Sequence, residues 1–257
     1  MVDVTTLKPS WLWVLGEEGE RPSQERQLKR MLCLTSMTIL SASAEAIQDD
    51  DPSADEALAL FVDARDWIVA NAGDELTKSE RLCVETPPDQ WSEQQLIDGS
   101  WCFQAAGAIG WALGLTQWLP IWESYGPEHF EFNFLASNVE DVAQLVKPLP
   151  PAEVDLKNSV ACAWLWRCRH ALSERDGFWA KLRRSRKSIL AEFTDELFKS
   201  GEFDAPIEGD YNVLGRPFRS APVGVRGRIQ SSATERLRAL NWLHGQDPDY
   251  ENISCDT

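Results

Sequence analysis

Histidine is scarce in this chain: three in 257 residues, at 129, 170 and 244. None stands at metal-ligand spacing from a second ligand, and Cys168-Arg-His170 alone is too sparse to hold zinc. No two of the six cysteines, at 33, 83, 102, 162, 168 and 255, form a CxxC pair. Several fall inside apolar helical patterns, so reduced thiols in a cytoplasmic protein are expected, not a disulfide framework. The opening Met1–Ser10 has no cationic start, and the apolar patch Trp11–Leu15 is too short for a signal peptide. No repeat and no convincing strand pattern is present. Gly224-Val-Arg-Gly227 lacks the Lys-Ser/Thr of a phosphate loop. Asp247, Asp249 and Glu251 alternate as in a calcium loop, but the loop glycine and the twelfth-position Glu are missing. No cofactor or metal is therefore expected.

Positive charge is also short. The net charge is −16, which argues against binding the nucleic-acid backbone or an anionic membrane surface. The deficit is uneven: residues 1–100 carry 8 basic and 20 acidic side chains, whereas residues 161–230 carry 13 basic and 9 acidic. An acidic surface serves solubility, and it also suits a basic partner.

What the chain has in abundance is tryptophan, twelve in all, and an uncharged run from Gly99 to Trp122. A spanning helix needs about 20 predominantly apolar residues, so the run is long enough. Ser100, Gln104, Thr116 and Gln117, three glycines, Pro120 and acidic flanks at Asp98 and Glu123 speak against a membrane span. From Trp101 to Leu115 the run is apolar on every side, the pattern of a helix buried in a soluble core. Ala106, Gly110 and Gly114 recur at i, i+4, i+8, predicting a smooth strip against which a second helix lies close.

Around it, helical spacing predicts a helix from Ser23 to just before Asp49-Asp50-Asp51-Pro52. A second follows a capping box at Ser53–Glu56 and stops at Asn71-Ala72-Gly73. Short capped elements begin at Thr77–Glu80 and Ser92–Gln95. After an aromatic stretch to Phe134, helices are expected over about Asn138–Val146, Asp155–Leu172 and Phe178–Phe198. The last of these carries the cationic cluster Lys181, Arg183, Arg184, Arg186 and Lys187. Gly201–Gly227 reads as loop, and a final helix runs from about Ser231 to Gly245. The expectation is all-α: an irregular segment over 1–22, in which Trp11 and Trp13 pin the chain, then a single domain over 23–257. Amphipathic helices would pack around the Gly/Trp-rich one.

Several stretches carry a resemblance. Glu235-Arg-Leu-Arg-Ala-Leu-Asn-Trp-Leu-His-Gly245, with Tyr250 to Asp256-Thr257, resembles the end of the bacterial domain-of-unknown-function family 4272. Ser100-Trp101 to Leu115, Ala163-Trp164 to Arg169, and Asp210-Tyr-Asn-Val-Leu-Gly-Arg-Pro-Phe-Arg219 are similar to other parts of that family. The likeness covers about residues 25–257. In the family pattern Gln104 is usually Glu and Cys102 often Arg, so this chain has a neutral amide where an acid is common. The resemblance implies no established activity.

Candidate binding residues are Arg216, Arg219, Arg226 and Arg228, which could grip an anion bidentately or pin their loop to the acidic N-terminal half. Asn241 and His244 read either as polar groups of a pocket or as a backbone bond and a helix closure. Asp49, Asp50 and Asp51 are a solvated turn or part of an acidic binding face. No catalytic residue is assigned, and the protein reads as a non-enzyme. The leading expectation is a cytoplasmic protein that binds another protein, in its specific form an immunity-type inhibitor of a basic toxin, because acidic clusters speed association with such partners. Two alternatives stay open: an enzyme or ligand-binding protein with a pocket near Trp101, Gln104, Trp242 and the Arg loop, and a helical scaffold. No nucleic acid and no membrane is expected among its partners.

Overall fold

The computed structural model describes residues 19–130, 132–133, 137–173 and 196–255, with backbone alone for 170–173. Helix α1 (Gln24–Gln48) starts where Ser23 accepts a hydrogen bond from the Arg26 amide at 3.3 Å. It buries Leu28, Met31, Leu32, Cys33, Leu34, Met37, Leu40 and Ala44. Helix α2 (Ala54–Ala72) lies on α1 through Ala57, Phe61, Ala64 and Ile68. Helix α3 (Lys78–Glu85) opens with the expected capping box of Thr77 and Glu80, and α4 (Glu93–Ala112) with that of Ser92 and Gln95. Helix α5 (Val139–Leu145) is capped by Asn138, then come α6 (Pro151–Ser173) and α7 (Val223–Leu243). The backbone is also helical over 196–200. A two-residue hairpin, β1 (Asn212–Val213) with β2 (Arg216–Pro217), pairs antiparallel, Val213 opposite Arg216.

The principal helix contacts run in the order α2, α1, α4, α7, α6. The fold is therefore an all-α domain with α4 in the middle of the row, as its uncharged part from Gly99 to Ala112 requires. From Phe103 to Ala112 every residue of α4 is buried. One continuous core joins α1, α4, α6 and α7. No helix among the described residues is long and apolar enough to cross a membrane.

Several expectations need correction. The Ala106-Gly110-Gly114 strip serves a helix only in part: Gly110 meets Met31 of α1, with a built Cβ 3.2 Å from its sulfur, but a loop ring lies closer. A Cβ on Gly107 would sit 2.2 Å from the Tyr125 ring, and one on Gly110 would sit 2.7 Å from Phe130, so aromatic rings of the following loop fill both notches. Gly114 lies beyond the helix with φ +72°, in a Schellman closure where Leu115 N donates to Gly110 O and Gly114 N to Trp111 O. The close helix approach is at Gly99, where a Cβ would fall 2.6 Å from Ser41 Cβ of α1. That proximity lets Thr38 and Ser41 donate to the carbonyls of Gly99 (3.0 Å) and Leu96 (2.6 Å).

Ser53 makes no capping bond; its hydroxyl and amide donate instead to Asp51 Oδ1. Helix α6 begins at Pro151, four residues before the expected start at Asp155, and the proline's missing N–H costs nothing there. Helix α7 begins at Val223, eight residues before the expected start, so Arg226 and Arg228 are helical. Loop 201–221 is held by aromatic packing: Trp164 of α6 stacks on Phe203 and meets Tyr211 and Phe218 edge-on. All six cysteines are free. Trp11, Trp13, the cationic cluster at 181–187 and the closing Asp256-Thr257 lie outside the described residues, as does the His170 side chain.

Candidate functional site

The four arginines do not converge. Arg216 is exposed on the hairpin, and Arg228 is exposed on α7. Arg219 pairs with Glu208 of its own loop and stands 3.7 Å from Asp210. Arg226 is half-buried, and its Nε has no hydrogen-bond partner among the described residues. The organiser of the loop is Asp210, buried, which accepts from Arg167 Nε (2.7 Å) and Nη2 (2.9 Å) and from the amides of Tyr211 and Arg219. Burial opposes its charge, but these bonds outweigh burial and hold the carboxyl below its usual range. The ion pairs thus tie the loop to itself and to α6, not to the acidic N-terminal half.

Asn241 and His244 are also drawn inward. Asn241 Oδ1 accepts from Asn158 Nδ2 of α6 at 3.1 Å, and its own Nδ2 donates to Ser254 O at 2.9 Å. His244 is the C-cap of α7, followed by Gly245 at φ +88°. It is 2% exposed, with Nδ1 3.0 Å from Asp155 Oδ1. Arg21 donates to both oxygens of the same carboxylate at 2.9 Å. His–Asp pairing of this kind serves nucleophilic catalysis when the far nitrogen meets a hydroxyl or thiol. Here His244 Nε2 is buried with no partner among the described residues, so the arrangement is a joint between α6, α7 and Arg21 ahead of α1. Asp49, Asp50 and Asp51 form an exposed turn after α1, in which Ser53 holds the Asp51 carboxyl below its usual range.

A hollow lies elsewhere. A cleft of about 790 Å³ opens beside α4 and is lined by α1, α3, α4, α7 and the turn Tyr250–Asn252. It takes in Trp101, as the pocket alternative expected, but not Gln104, Trp242 or the Arg loop. Helix α4 contributes Gln95, Asp98 and Cys102 at spacings of one helical turn, and α7 contributes the adjacent Thr234 and Glu235 with Arg238 one turn on. This polar stripe on an otherwise apolar helix was the signal available in the sequence. Its significance depends on α7 lying opposite, which spacing alone cannot establish.

The charges in the cleft are unequal. Glu80, Asp98, Glu235 and Glu251 all line it, with Arg238 as the one guanidinium of its lining. Glu80 is engaged by Arg30, a wholly buried residue that also donates to Glu75 O at 2.8 Å. Glu251 accepts from the amides of Lys78 (3.1 Å) and Ser79 (3.3 Å) at the start of α3. Glu235 pairs with Arg238 at 3.0 Å, yet burial, together with the charge of Asp98, still pushes its carboxyl up. Asp98 accepts from the Gln94 side chain at 2.8 Å. The Tyr250 ring lies over Arg30, with the guanidinium carbon 4.5 Å from the ring centroid. Its hydroxyl is buried with no hydrogen-bond partner among the described residues, and burial drives its pKa well above the ordinary phenol value. Cys102 Sγ donates to Asp98 O, and burial raises this thiol too, which removes it as a nucleophile.

A second hollow of about 250 Å³ lies among Trp118, Trp122, Trp164 and Phe203. Its lysine, Lys157, is paired with Glu202 and lies over the Trp118 ring. Among the described residues no group of three or more His, Cys, Asp or Glu side chains is placed to hold a metal. The chain matches no protein-family model, no curated protein and no solved structure.

Proposed function

We propose that this is a non-enzymatic binding protein of the cytoplasm that receives a basic partner protein at the mouth of the α3–α4–α7 cleft. Its specific form is an immunity-type inhibitor of a basic toxin, and kinship with the unknown-function family 4272 belongs to the same proposal. The observation that carries it is the composition of the mouth. Leu82 and Ile97 line the cleft yet are 60% and 44% exposed, beside Asp98 and Glu251. Apolar contact area beside carboxylates is the make-up of an interface for a basic protein: the apolar atoms give affinity, and the charges steer encounter.

Co-purification from the host tests it, at low and high salt, with the wild-type chain and with Asp98→Lys. A specific protein that is retained by the wild type, weakened by salt and lost with Asp98→Lys supports the reading. Absence of any specific protein partner at every ionic strength overturns it.

A small-molecule site in the same cleft is the second reading. It draws on the depth of the hollow and on the unpartnered Tyr250 hydroxyl. Binding of a small ligand with no protein partner at any salt would favour it.

A further inference from the structure

We infer that this cleft is a receptor for a single organic cation, an ammonium or guanidinium group, held between Asp98 of α4 at its mouth and Glu235 of α7 and the Tyr250 hydroxyl deeper in. The inference rests on the reading that the cleft is the binding site, and it names what that site takes.

The argument begins with what is already satisfied. Glu80 is neutralised by Arg30, and Glu251 is spent on the amides at the start of α3. Glu235 shares its charge with Arg238. Asp98 is left with a hydrogen bond from the neutral Gln94 amide. Two acids on facing helices therefore have one cation between them, and the negative charge left over raises the cost of ionising Glu235. An arriving cation removes that repulsion.

The independent observation is Tyr250. Its side chain is more than nine-tenths buried on the cleft wall, and its hydroxyl has no partner among the described residues. Buried hydroxyls are ordinarily hydrogen-bonded, and leaving one unpaired is costly. Its ring already lies over one guanidinium, Arg30, which leaves the oxygen lone pairs as its remaining means of recognition. A cation seated between the two helices would offset the charge of both carboxylates, and an N–H of it that reached the buried oxygen would give Tyr250 the partner it lacks. Trp101, half-buried on the same wall, offers an indole face for the alkyl or cationic part of the ligand. An anionic ligand would meet the carboxylates unpaired, and a neutral one would leave the excess charge in place.

The cation is either a Lys or Arg side chain of the partner protein or a free amine, and titration of the purified chain separates the two. The probes are n-butylammonium, n-butylguanidinium, n-butanol, and a short blocked peptide containing one arginine. Binding is followed by calorimetry and by amide chemical shifts at moderate salt. The cations and the peptide are expected to bind, and the alcohol is not. Asp98→Asn is expected to weaken binding by about tenfold, the scale of one charge-assisted contact. Glu235→Gln and Tyr250→Phe should each weaken it several-fold. Tyr250→Phe keeps the ring over Arg30, and amide spectra of each variant establish that it is folded. Failure of every cation to bind, or binding indifferent to all three substitutions, overturns the inference.

The outcomes also separate this inference from the function proposed above. A protein partner captured through Asp98, with no cation bound, defeats the inference and leaves the partner reading standing. Free amines that bind while the peptide does not support the receptor and remove the protein-partner reading.

Discussion

Arg236 of α7 donates through Nε (3.2 Å) and Nη2 (3.0 Å) to a single oxygen, Oε1 of Gln104 on α4. The remaining bonds of this guanidinium go to the carbonyls of Leu119, Pro120 and Glu123. Tyr125 and Trp118 present their rings to it at 4.7 and 5.4 Å. A buried cation is thus held by neutral groups alone, and burial pulls its pKa down to about 10. The pair ties the two central helices to the loop whose rings fill the notches of α4.

Gln104→Glu would give Arg236 a formal counter-charge in place of an amide dipole. Facing a cation already held by five hydrogen bonds, the new carboxylate should sit below the usual carboxylate range. Its contribution is then present above the unfolded pKa and disappears as pH falls through the folded one. Urea midpoints of the variant should exceed the wild type at neutral pH and converge with it in acid. Gln104→Leu, which leaves Arg236 Nε without an acceptor, should cost about 1–3 kcal/mol.

Glu235 behaves in the opposite sense. Burial and Asp98 raise its folded pKa above the unfolded value, so the folded state holds that proton more tightly. Its contribution to stability is full below the unfolded pKa and falls as pH rises through the folded pKa. Denaturant midpoints of Glu235→Gln measured from acid to neutral pH should show that decline flattened. An unchanged slope would remove Glu235 as its source.

Asp155 joins Arg21 to His244. Burial raises the Asp155 carboxyl, but the His244 and Arg21 hydrogen bonds outweigh it and leave the pKa lowered. The stability it supplies is present above the unfolded carboxylate pKa and is lost as pH drops through the folded one. Asp155→Asn should cost about 1–3 kcal/mol at neutral pH and little at strongly acid pH, read as a shift in thermal midpoint.

Two glycines should respond with opposite signs. Gly107→Ala drives a methyl group into the Tyr125 ring, with three ring carbons within 2.5 Å of the new atom. It should cost about 1–3 kcal/mol as overpacking. Gly227→Ala, inside α7 with nothing within 4 Å of the added carbon, should stabilise by about 1 kcal/mol through helix propensity. Calorimetric midpoints of the two proteins should move apart.

The all-α class, α1, the start of α4 and the span of α5 were legible in the sequence because they depend on local physics. Ser23, Thr77, Ser92 and Asn138 each satisfy amides within three residues of themselves, and the uncharged part of α4 after Asp98 has nowhere to go but the core. The early start of α7 was hidden by Gly224 and Gly227, whose weak propensity reads as loop until packing on α4 and α6 overrides it. Ser53 misled because Asp51, two residues before it, competes for the same hydroxyl.

What chain order alone determined was therefore periodicity, caps and charge, which are set between residues a turn apart. Which groups meet was decided by the tertiary packing. It placed Tyr125 in the notch of Gly107, set Asp210 to join Arg167 of α6 to the Arg219 amide, and turned His244 inward onto Asp155. It also brought Asp98, Glu235 and Tyr250 to one hollow from three separate stretches of chain. Those meetings depend on the order and spacing of the helices, a property of the whole core that no local segment carries.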